Sequence, residues 1–495
     1  MNAIFVKINT KEEFDFFYAL SKSPFINEIY PMVSNEFISK KKDYNQSNIF
    51  FNYDRCFKGD YTKEPYFKQC IPIDEKIIMT MQPYENDIMH MMDREGIVDS
   101  QTRWRKYYAH LQYWNYIIER LDINIFISNT IPNGACDYIA YCFCKIKGIP
   151  FVGSSQSHIR GYSYMLDDVF NHNVINHNVV DFEGNLPSYM LEIYNFYIDE
   201  NTDKTPYYMV NNENDLINTN YAKKNIVLKF LVYKHRIRNV LGLIKKILSP
   251  FEILKYIQYT ECMNYNFFRE PETLIYFYKK ISEYIDCNSA GKYIYFALHM
   301  QPESTTSPMG GVFVDQLLAI KMISFQLPKD WTLIVKEHPC QFGNSKLFPN
   351  VRTLDLYYEL LKLKNVKIAS QENDTYTLMN YSQAVATITG TVAWEAMFKF
   401  KPCLFFGHHI QESAPSSFVV RTNDDCKNAI EKLIEGKINI SKEDIKKYLF
   451  ILDRYLCLDN RTFAGEDVAN SNHMLIDKKL YIIEEYLNKI KKICE

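Results

Sequence analysis

The sequence predicts an α/β protein built on doubly wound parallel sheets, and three observations carry that expectation. Strand, helix and strand follow one another at βαβ spacing over residues 123–154. Between residues 292 and 406, five short apolar runs alternate with helical patterns. Polar residues and glycines gather just after those runs, where an open parallel sheet binds its ligands.

The elements follow in order. Residues 1–8 read as a strand centred on Ile4, Phe5 and Val6, and 48–54 (NIFFNYD) as another. Trp104, Tyr107, Leu111, Trp114, Ile117 and Ile118 recur at near-helical spacing over 100–120. INIFISN (123–129) is a buried strand, Asn133 to Lys147 a helix closed by Gly148-Ile-Pro, and 151–154 the next strand. Residues 200–220 are rich in Asn, Asp and Thr and read as a loop. Segment 222–248 carries Lys223, Lys224, Lys229, Lys234, Arg236, Arg238, Lys245 and Lys246 with no acid, and its leucines and isoleucines form an apolar side. It reads as a basic amphipathic helix, or two. In the second half, strands are expected at 292–298, 331–337, 365–369, 383–389 and 402–406. Helices are expected at 313–324, 373–381 and 392–398.

Composition bounds the function. The chain has 495 residues, 47% hydrophobic and 23% charged, which is globular and long enough for about two to three domains. Lys+Arg 57 against Asp+Glu 59 gives a net charge of −2, which excludes a global polycation and argues against nucleic acid as a partner. The 12 cysteines contain no C-x-x-C, and Cys136, Cys142 and Cys144 fit no usual zinc spacing. They read as reduced thiols of a cytoplasmic protein. The start, MNAIFVKINTKEEFDFF, lacks the pattern of a signal peptide, and no run approaches the roughly 18 apolar residues of a membrane span.

Residues at the predicted strand ends carry the chemistry. Gln301 and Glu303 follow the first strand of the second half, and Lys336, Glu337 and His338 follow the next. Thr389-Gly390-Thr391, with Glu395 one turn on, follows the fourth. A glycine between threonines at a strand-to-helix turn suits close approach of an anion. Lys336 and His338 supply a fixed cation and a titratable donor for a leaving phosphate, and Glu395 can accept from ribose hydroxyls. Taken singly, Thr391 is also a helix cap, Lys336-Glu337-His338 a solvated strand exit, and Glu395 a carboxylate on a helix dipole. No D-x-D metal motif stands at a strand end in this half.

Three runs, ALHMQPESTTSPMGGVFVDQLLAI, LPKDWTLIVKEHP and ATITGTVAWEAMFKFKPCLFFG, occur in that order. Together they resemble the bacterial capsule polysaccharide biosynthesis family, which includes the Kdo transferases of capsule assembly. The resemblance covers about residues 290–410. IPNGACDYIAYCFCKIKGIPFV looks like the family's first-domain segment, which often has a His near Asn133.

The resemblance implies a GT-B glycosyltransferase with two Rossmann-like domains facing a central cleft. Its expected divisions are an acceptor domain over 1–250, a linker over 251–290, a nucleotide-sugar domain over 291–470 and a terminal helix over 471–495 packing back on the first. It implies metal-independent, inverting transfer from a nucleotide sugar to a glycan or lipid-linked glycan. CMP-Kdo or a related CMP-sugar is favoured, a UDP- or GDP-hexose or hexosamine comes second, and a non-catalytic nucleotide-binding assembly or export protein is the alternative. Gln301, Glu303, Lys336, His338, Thr389, Gly390, Thr391 and Glu395 are the expected donor contacts, with His338 also catalytic. The base is expected on the first domain, at Asp137 or His158, with Asp167 and Asp168 as further carboxylates. The basic segment adds the expectation of peripheral contact with an anionic inner leaflet. Packing on the first domain and binding of an anionic glycan are its rival roles.

Overall fold

The computed structural model describes residues 1–38, 49–95, 99–159, 161–172, 175, 182–199, 271–344, 352–458, 483–484 and 487–488. The loop 200–220 and the basic segment 222–248 lie outside the described residues, as does nearly all of 459–495.

Two sheets organise the chain. The first runs β13-β6-β5-β4-β1-β2-β3. Its strands are β1 (Asn2–Ile8), β2 (Glu28–Val33), β3 (Phe51–Asn52), β4 (Ile125–Ser128), β5 (Phe151–Gln156), β6 (Tyr162–Leu166) and β13 (Leu456–Leu458). Its central strands are parallel, while β6 pairs antiparallel with both β5 and β13. The second sheet runs β12-β11-β10-β7-β8-β9 and is parallel throughout. Its strands are β7 (Lys292–Ala297), β8 (Trp331–Lys336), β9 (Val366–Ile368), β10 (Ala384–Thr387), β11 (Cys403–Phe405) and β12 (Ser417–Val419). Helices cover both faces of each sheet, as the fully apolar parallel strands require. This is the GT-B-like pairing of Rossmann-type units that the sequence predicts.

Both sheets reverse winding direction once. In the first, the chain goes from β1 outward to β3 and returns on the other side of β1 at β4; in the second, it goes from β7 outward to β9 and returns at β10. The crevices between β1 and β4 and between β7 and β10 are therefore the switch points, where the loops diverge and leave room for ligand.

Local signals start the helices that frame these crevices. Thr10 and Glu13 form a capping box for Lys11–Leu20. Asp99 caps Ser100–Arg120, and Asp315 caps Gln316–Gln326. The helix expected at 313–324 is split: Gly311–Val314 is a 3₁₀ turn, and the α-helix begins only after the Asp315 cap. The strand expected at 48–54 is just two residues, because Asn52 caps a helix over Tyr53–Phe57.

The expected end of the second domain at residue 470 needs correction. Helix Lys442–Asp453 buries Ile445, Leu449 and Leu452 in the core of the first sheet, and β13 pairs with β6. The chain has thus already returned to the first domain by residue 442. Ile483 and Leu487 are buried in the core on the other face of that sheet.

The two units share packed surface. Met309, Trp394 and Ile410 are buried in the first unit's core. Tyr197 stacks on Phe398 with centroids 4.9 Å apart, and His158 stacks on His409 at 4.2 Å. The Ile410 N–H donates to the Tyr164 hydroxyl at 3.0 Å. Among the described residues, no helix is long and apolar enough to cross a membrane.

Candidate active site

A cleft of about 1160 Å³ opens between the two sheets, at the carboxyl ends of their parallel strands. Its second-domain wall comes from the loops after β7, β8, β9 and β10. Its first-domain wall comes from the loops after β4 and β5.

At the β7–β10 switch point sits His299, a residue that sequence reasoning passed over. Its Nε2 accepts the Thr389 N–H at 3.0 Å and lies 3.0 Å from the Thr387 hydroxyl. The ring proton is therefore on Nδ1, which faces the Glu303 carboxylate at 3.3 Å. The Arg352 guanidinium donates to the His299 carbonyl at 2.7 Å, and the Gln316 side chain accepts the His299 N–H at 2.7 Å. Gly390 is required here: a Cβ on it would stand 2.6 Å from the Thr387 hydroxyl and 3.2 Å from His299 Nε2.

Glu303 carries the negative charge of the site. Burial pushes its carboxyl up, but the His299 hydrogen bond and the neighbouring imidazoles hold it below the usual value. With 34% of its side chain exposed, it can still meet a ligand.

The β8 end adds the donors. Lys336 is buried against the cleft, and its Nζ donates to the Thr375 hydroxyl at 3.2 Å. Glu337 points inward, paired with Arg352 at 3.0 Å and accepting from Tyr357 at 2.8 Å. That inward pair anchors the strand end. It also accepts the His338 N–H at 3.0 Å. His338 Nδ1 accepts the Cys340 N–H at 3.1 Å, so the proton sits on Nε2. Burial lowers the His338 pKa to about 4, against the pull of Glu303. His338 is thus a neutral imidazole with one fixed N–H donor at the cleft wall.

Thr389 lines the cleft but commits its hydroxyl to the Thr305 carbonyl at 2.7 Å, pinning the β7 loop. Thr391 is exposed and makes no capping bond, so its hydroxyl remains available at the cleft. Glu395 lines the same wall beside Tyr376. Gln301 is not a cleft residue: its amide donates to the Thr306 hydroxyl at 2.7 Å and its backbone is held by Gln341. The expectation of a donor contact there is corrected to a loop brace.

The base expected at Asp137 also needs correction. Its carboxylate is fully buried, accepts the Gly134 N–H at 2.9 Å and pairs with Lys7 at 3.2 Å. It caps its own helix and closes an internal ion pair, and it does not reach the cleft. His158 does line the cleft, in the same cavity as Glu303 and His338. Burial, then His409, lowers its pKa well below the usual value, so it stands neutral. Asp168 pairs with Lys145 at 2.5 Å away from the cleft lining. Among the described residues, no group of three or more His, Cys, Asp or Glu is placed to hold a metal ion.

His299 was findable from sequence by the logic that selected Lys336, since it directly follows a strand. Arg352 was not, because a loop far from any strand end carries it to the site.

No curated protein sequence matches the chain. Solved structures similar to it include a UDP-GlcNAc 2-epimerase from Methanocaldococcus jannaschii, at 12% identity and a TM-score of 0.24, covering 92% of this chain and all of that one. Another is the β-Kdo 2,7 transferase KpsC of Thermosulfurimonas dismutans, at 11% identity and a TM-score of 0.29, covering 79% of this chain and 96% of that one. Residues 306–413, which hold the H-P step and the Thr-Gly-Thr turn, match the model of the family described as capsule polysaccharide biosynthesis protein, and in that segment the resemblance read from the motifs is borne out.

Proposed function

We propose that the protein is a glycosyltransferase of bacterial capsule or related surface polysaccharide assembly. The observation that carries this reading is the convergence at one switch point. Lys336, the His338 Nε2–H and the Thr391 hydroxyl line one wall of an interdomain cleft, with Glu303 beside them. Two neutral donors, one of them fixed, and a cation suit the phosphate of a departing nucleotide. Glu395 stands on the same wall, where it can accept from ribose.

The transfer runs by inversion. The acceptor hydroxyl attacks the anomeric carbon, the bond to the nucleotide phosphate breaks, and a base takes the hydroxyl proton. With Asp137 sealed in its helix cap, Glu303 is the cleft carboxylate suited to that role. His299 holds one of its oxygens through Nδ1–H, which orients it and favours its ionised form. His158 is the second group available on the opposite wall.

A CMP-activated sugar, Kdo or a related nonulosonate, is the favoured donor, on the strength of the resemblance. A UDP- or GDP-hexose or hexosamine is the runner-up. The acceptor is a glycan or lipid-linked glycan, and contact with the inner leaflet would come from residues 222–248.

Release of free nucleotide from CMP-, UDP- and GDP-sugars, with and without glycan acceptors, tests the reading. One donor class should be turned over, and Glu303→Gln should lower transfer by roughly 100-fold or more while nucleotide still binds. Nucleotide binding without any turnover, in the presence of acceptors, would favour the non-catalytic assembly or export role. Absence of both binding and turnover would overturn the proposal.

A further inference from the structure

Tyr162, Phe196 and Tyr197 line the cleft and have no part in the reaction above. Tyr162 opens β6, just after the loop that carries His158. Phe196 and Tyr197 lie in the last turn of helix Ser188–Ile198. That helix packs against helix Lys442–Asp453 and against helix Val392–Phe398, which begins beside Thr391. The rings are held by others. Tyr162 lies nearly parallel on Tyr189, with centroids 5.5 Å and planes 14° apart, and the Tyr189 hydroxyl donates to Asp453. Tyr197 stacks on Phe398 at 4.9 Å, and Phe196 meets Tyr197 nearly at a right angle at 5.1 Å. Trp394 makes edge-to-face contacts with Tyr197 at 5.8 Å and with His158 at 6.2 Å. A chain of ring contacts therefore runs along the cleft lining from His158 to Phe196.

Packing does not account for all of this aromatic surface. Phe196 lines the cleft with 42% of its surface exposed, and Tyr162 and Tyr197 are half-buried. One exposed ring is ordinary on a protein surface, whereas several on the lining of one cavity mark a place where something apolar and flat is meant to lie. Tyr189, which carries the Tyr162 ring, and Phe196 are seven residues apart on one helix. They therefore share a face and are spaced by about 10 Å along it, longer than one pyranose ring. The neighbouring wall decides the occupant. Asn133, Gln156 and Ser157, from the loops after β4 and β5, line it with neutral amides and a hydroxyl. An alkyl chain laid there would take these groups out of water without a partner. A sugar ring presents a C–H face to an aromatic ring and hydroxyls to the polar groups beside it.

We propose that Tyr162, Tyr197 and Phe196 form an aromatic shelf on which sugar rings of the acceptor glycan stack. The inference rests on the glycosyltransferase reading for the word acceptor, while the shelf itself rests on the three rings. It divides the cleft between two ligands: the second-domain wall takes the nucleotide phosphate, and the shelf takes the chain to be extended, with His158 at its inner end. Stacking on C–H faces needs no charge on the sugar. Neutral oligosaccharides of different composition should therefore bind, and more tightly than single sugars.

The test uses the full-length protein without donor. Binding of maltotetraose, cellotetraose and N-acetylated chitotriose is titrated by saturation-transfer NMR against glucose and N-acetylglucosamine, with octanoate as the probe for an alkyl chain. At least one oligosaccharide should bind more tightly than its monosaccharide, with saturation reaching its ring C–H protons. Leucine keeps apolar volume but has no flat face. Phe196→Leu and Tyr162→Leu should each weaken that binding about 3- to 10-fold, and Phe196→Tyr should retain it. Binding of CMP, UMP or GMP should be unchanged in these variants, which also shows that they are folded. Failure of every oligosaccharide to bind, affinities no higher than those of the monosaccharides, or binding untouched by both leucine variants would each overturn the proposal. So would octanoate binding that Phe196→Leu preserves while no oligosaccharide binds, the mark of a lipid groove. Loss of nucleotide binding in a folded Phe196→Leu protein would overturn it too, in favour of a nucleobase shelf. Should Tyr162→Leu not fold, the contrast between Phe196→Leu and Phe196→Tyr decides it. Oligosaccharide binding that depends on Phe196 in a protein that binds no nucleotide would leave the shelf standing and sink the glycosyltransferase reading instead.

Discussion

At the scale of single residues, the site depends on side chains whose hydrogen bonds fix their protons. His338 accepts a backbone N–H on Nδ1, so only Nε2–H is left to donate at the cleft wall. Its pKa of about 4 keeps it neutral throughout the physiological range. His338→Ala should lower turnover by roughly 100-fold or more in a folded protein. The pH–rate profile of the native enzyme should show no limb from His338 above pH 5, and a decline only as Glu303 protonates on the acid side. A limb near pH 6.5 that vanishes in His338→Ala would contradict this assignment. Gly390 makes a sharper structural case. Adding a methyl group there forces the Thr387 hydroxyl or His299 away, so Gly390→Ala should cost about 1–3 kcal/mol of stability and abolish nucleotide binding. Denaturant unfolding and calorimetry measure both. The buried Glu337–Arg352 pair is a third case. Arg352→Met strands a buried carboxylate and removes the donor to the His299 carbonyl, at a cost of about 3–5 kcal/mol in the same unfolding measurement.

At the scale of elements, the apolar runs made most of the fold legible. β1, β4, β5 and the strands β7 to β11 were readable because each is a short, mostly apolar run ended by a polar or glycine signal. β2 was not readable, since Pro31 sits in its middle and argues against a strand. β6, β12 and β13 owe their state to pairing: β13 is three residues that extend a sheet formed about 290 residues earlier in the chain. Site residues divide the same way. Lys336 ends a strand that the sequence displays and His338 and Thr391 follow one, whereas Gln301 was misread because its backbone brace comes from the distant Gln341, and Asp137 because its ion pair with Lys7 joins distant parts of the chain. The junction between units carries its own pH response. His409 stacks on His158 and donates to the Gln156 carbonyl at 2.9 Å; burial lowers its pKa from 6.5 to about 4. His172, behind it, is also held well below the usual value by burial. Between pH 6.5 and about 4 the unfolded chain takes up protons that the folded one refuses. Stability is therefore complete above that window and falls as pH drops through it, by on the order of 1–3 kcal/mol for His409. The midpoint of thermal unfolding should drop between pH 7 and pH 5, and His409→Gln should flatten that dependence.

At the scale of the whole molecule, two sheets meet at a cleft lined from the carboxyl ends of strands of both, and the chain crosses back through Lys442–Asp453 to pair β13 with the first sheet. That return ties the two walls of the cleft together while leaving its mouth to side chains from both. The sequence could announce the second-domain wall, because its residues stand at strand ends in motifs of recognisable order. The opposing wall comes from the loops after β4 and β5, where the sequence offered His158 but no series of motifs in order. The central claim is that the β7–β10 switch point holds a nucleotide phosphate. Calorimetric titration of the native protein and of His338→Ala with CMP, UMP and GMP tests it most directly. The account predicts that one nucleotide binds at a single site and that His338→Ala weakens it about 10-fold or more. Failure of all three to bind the folded native protein, or equal affinity in His338→Ala, would contradict it.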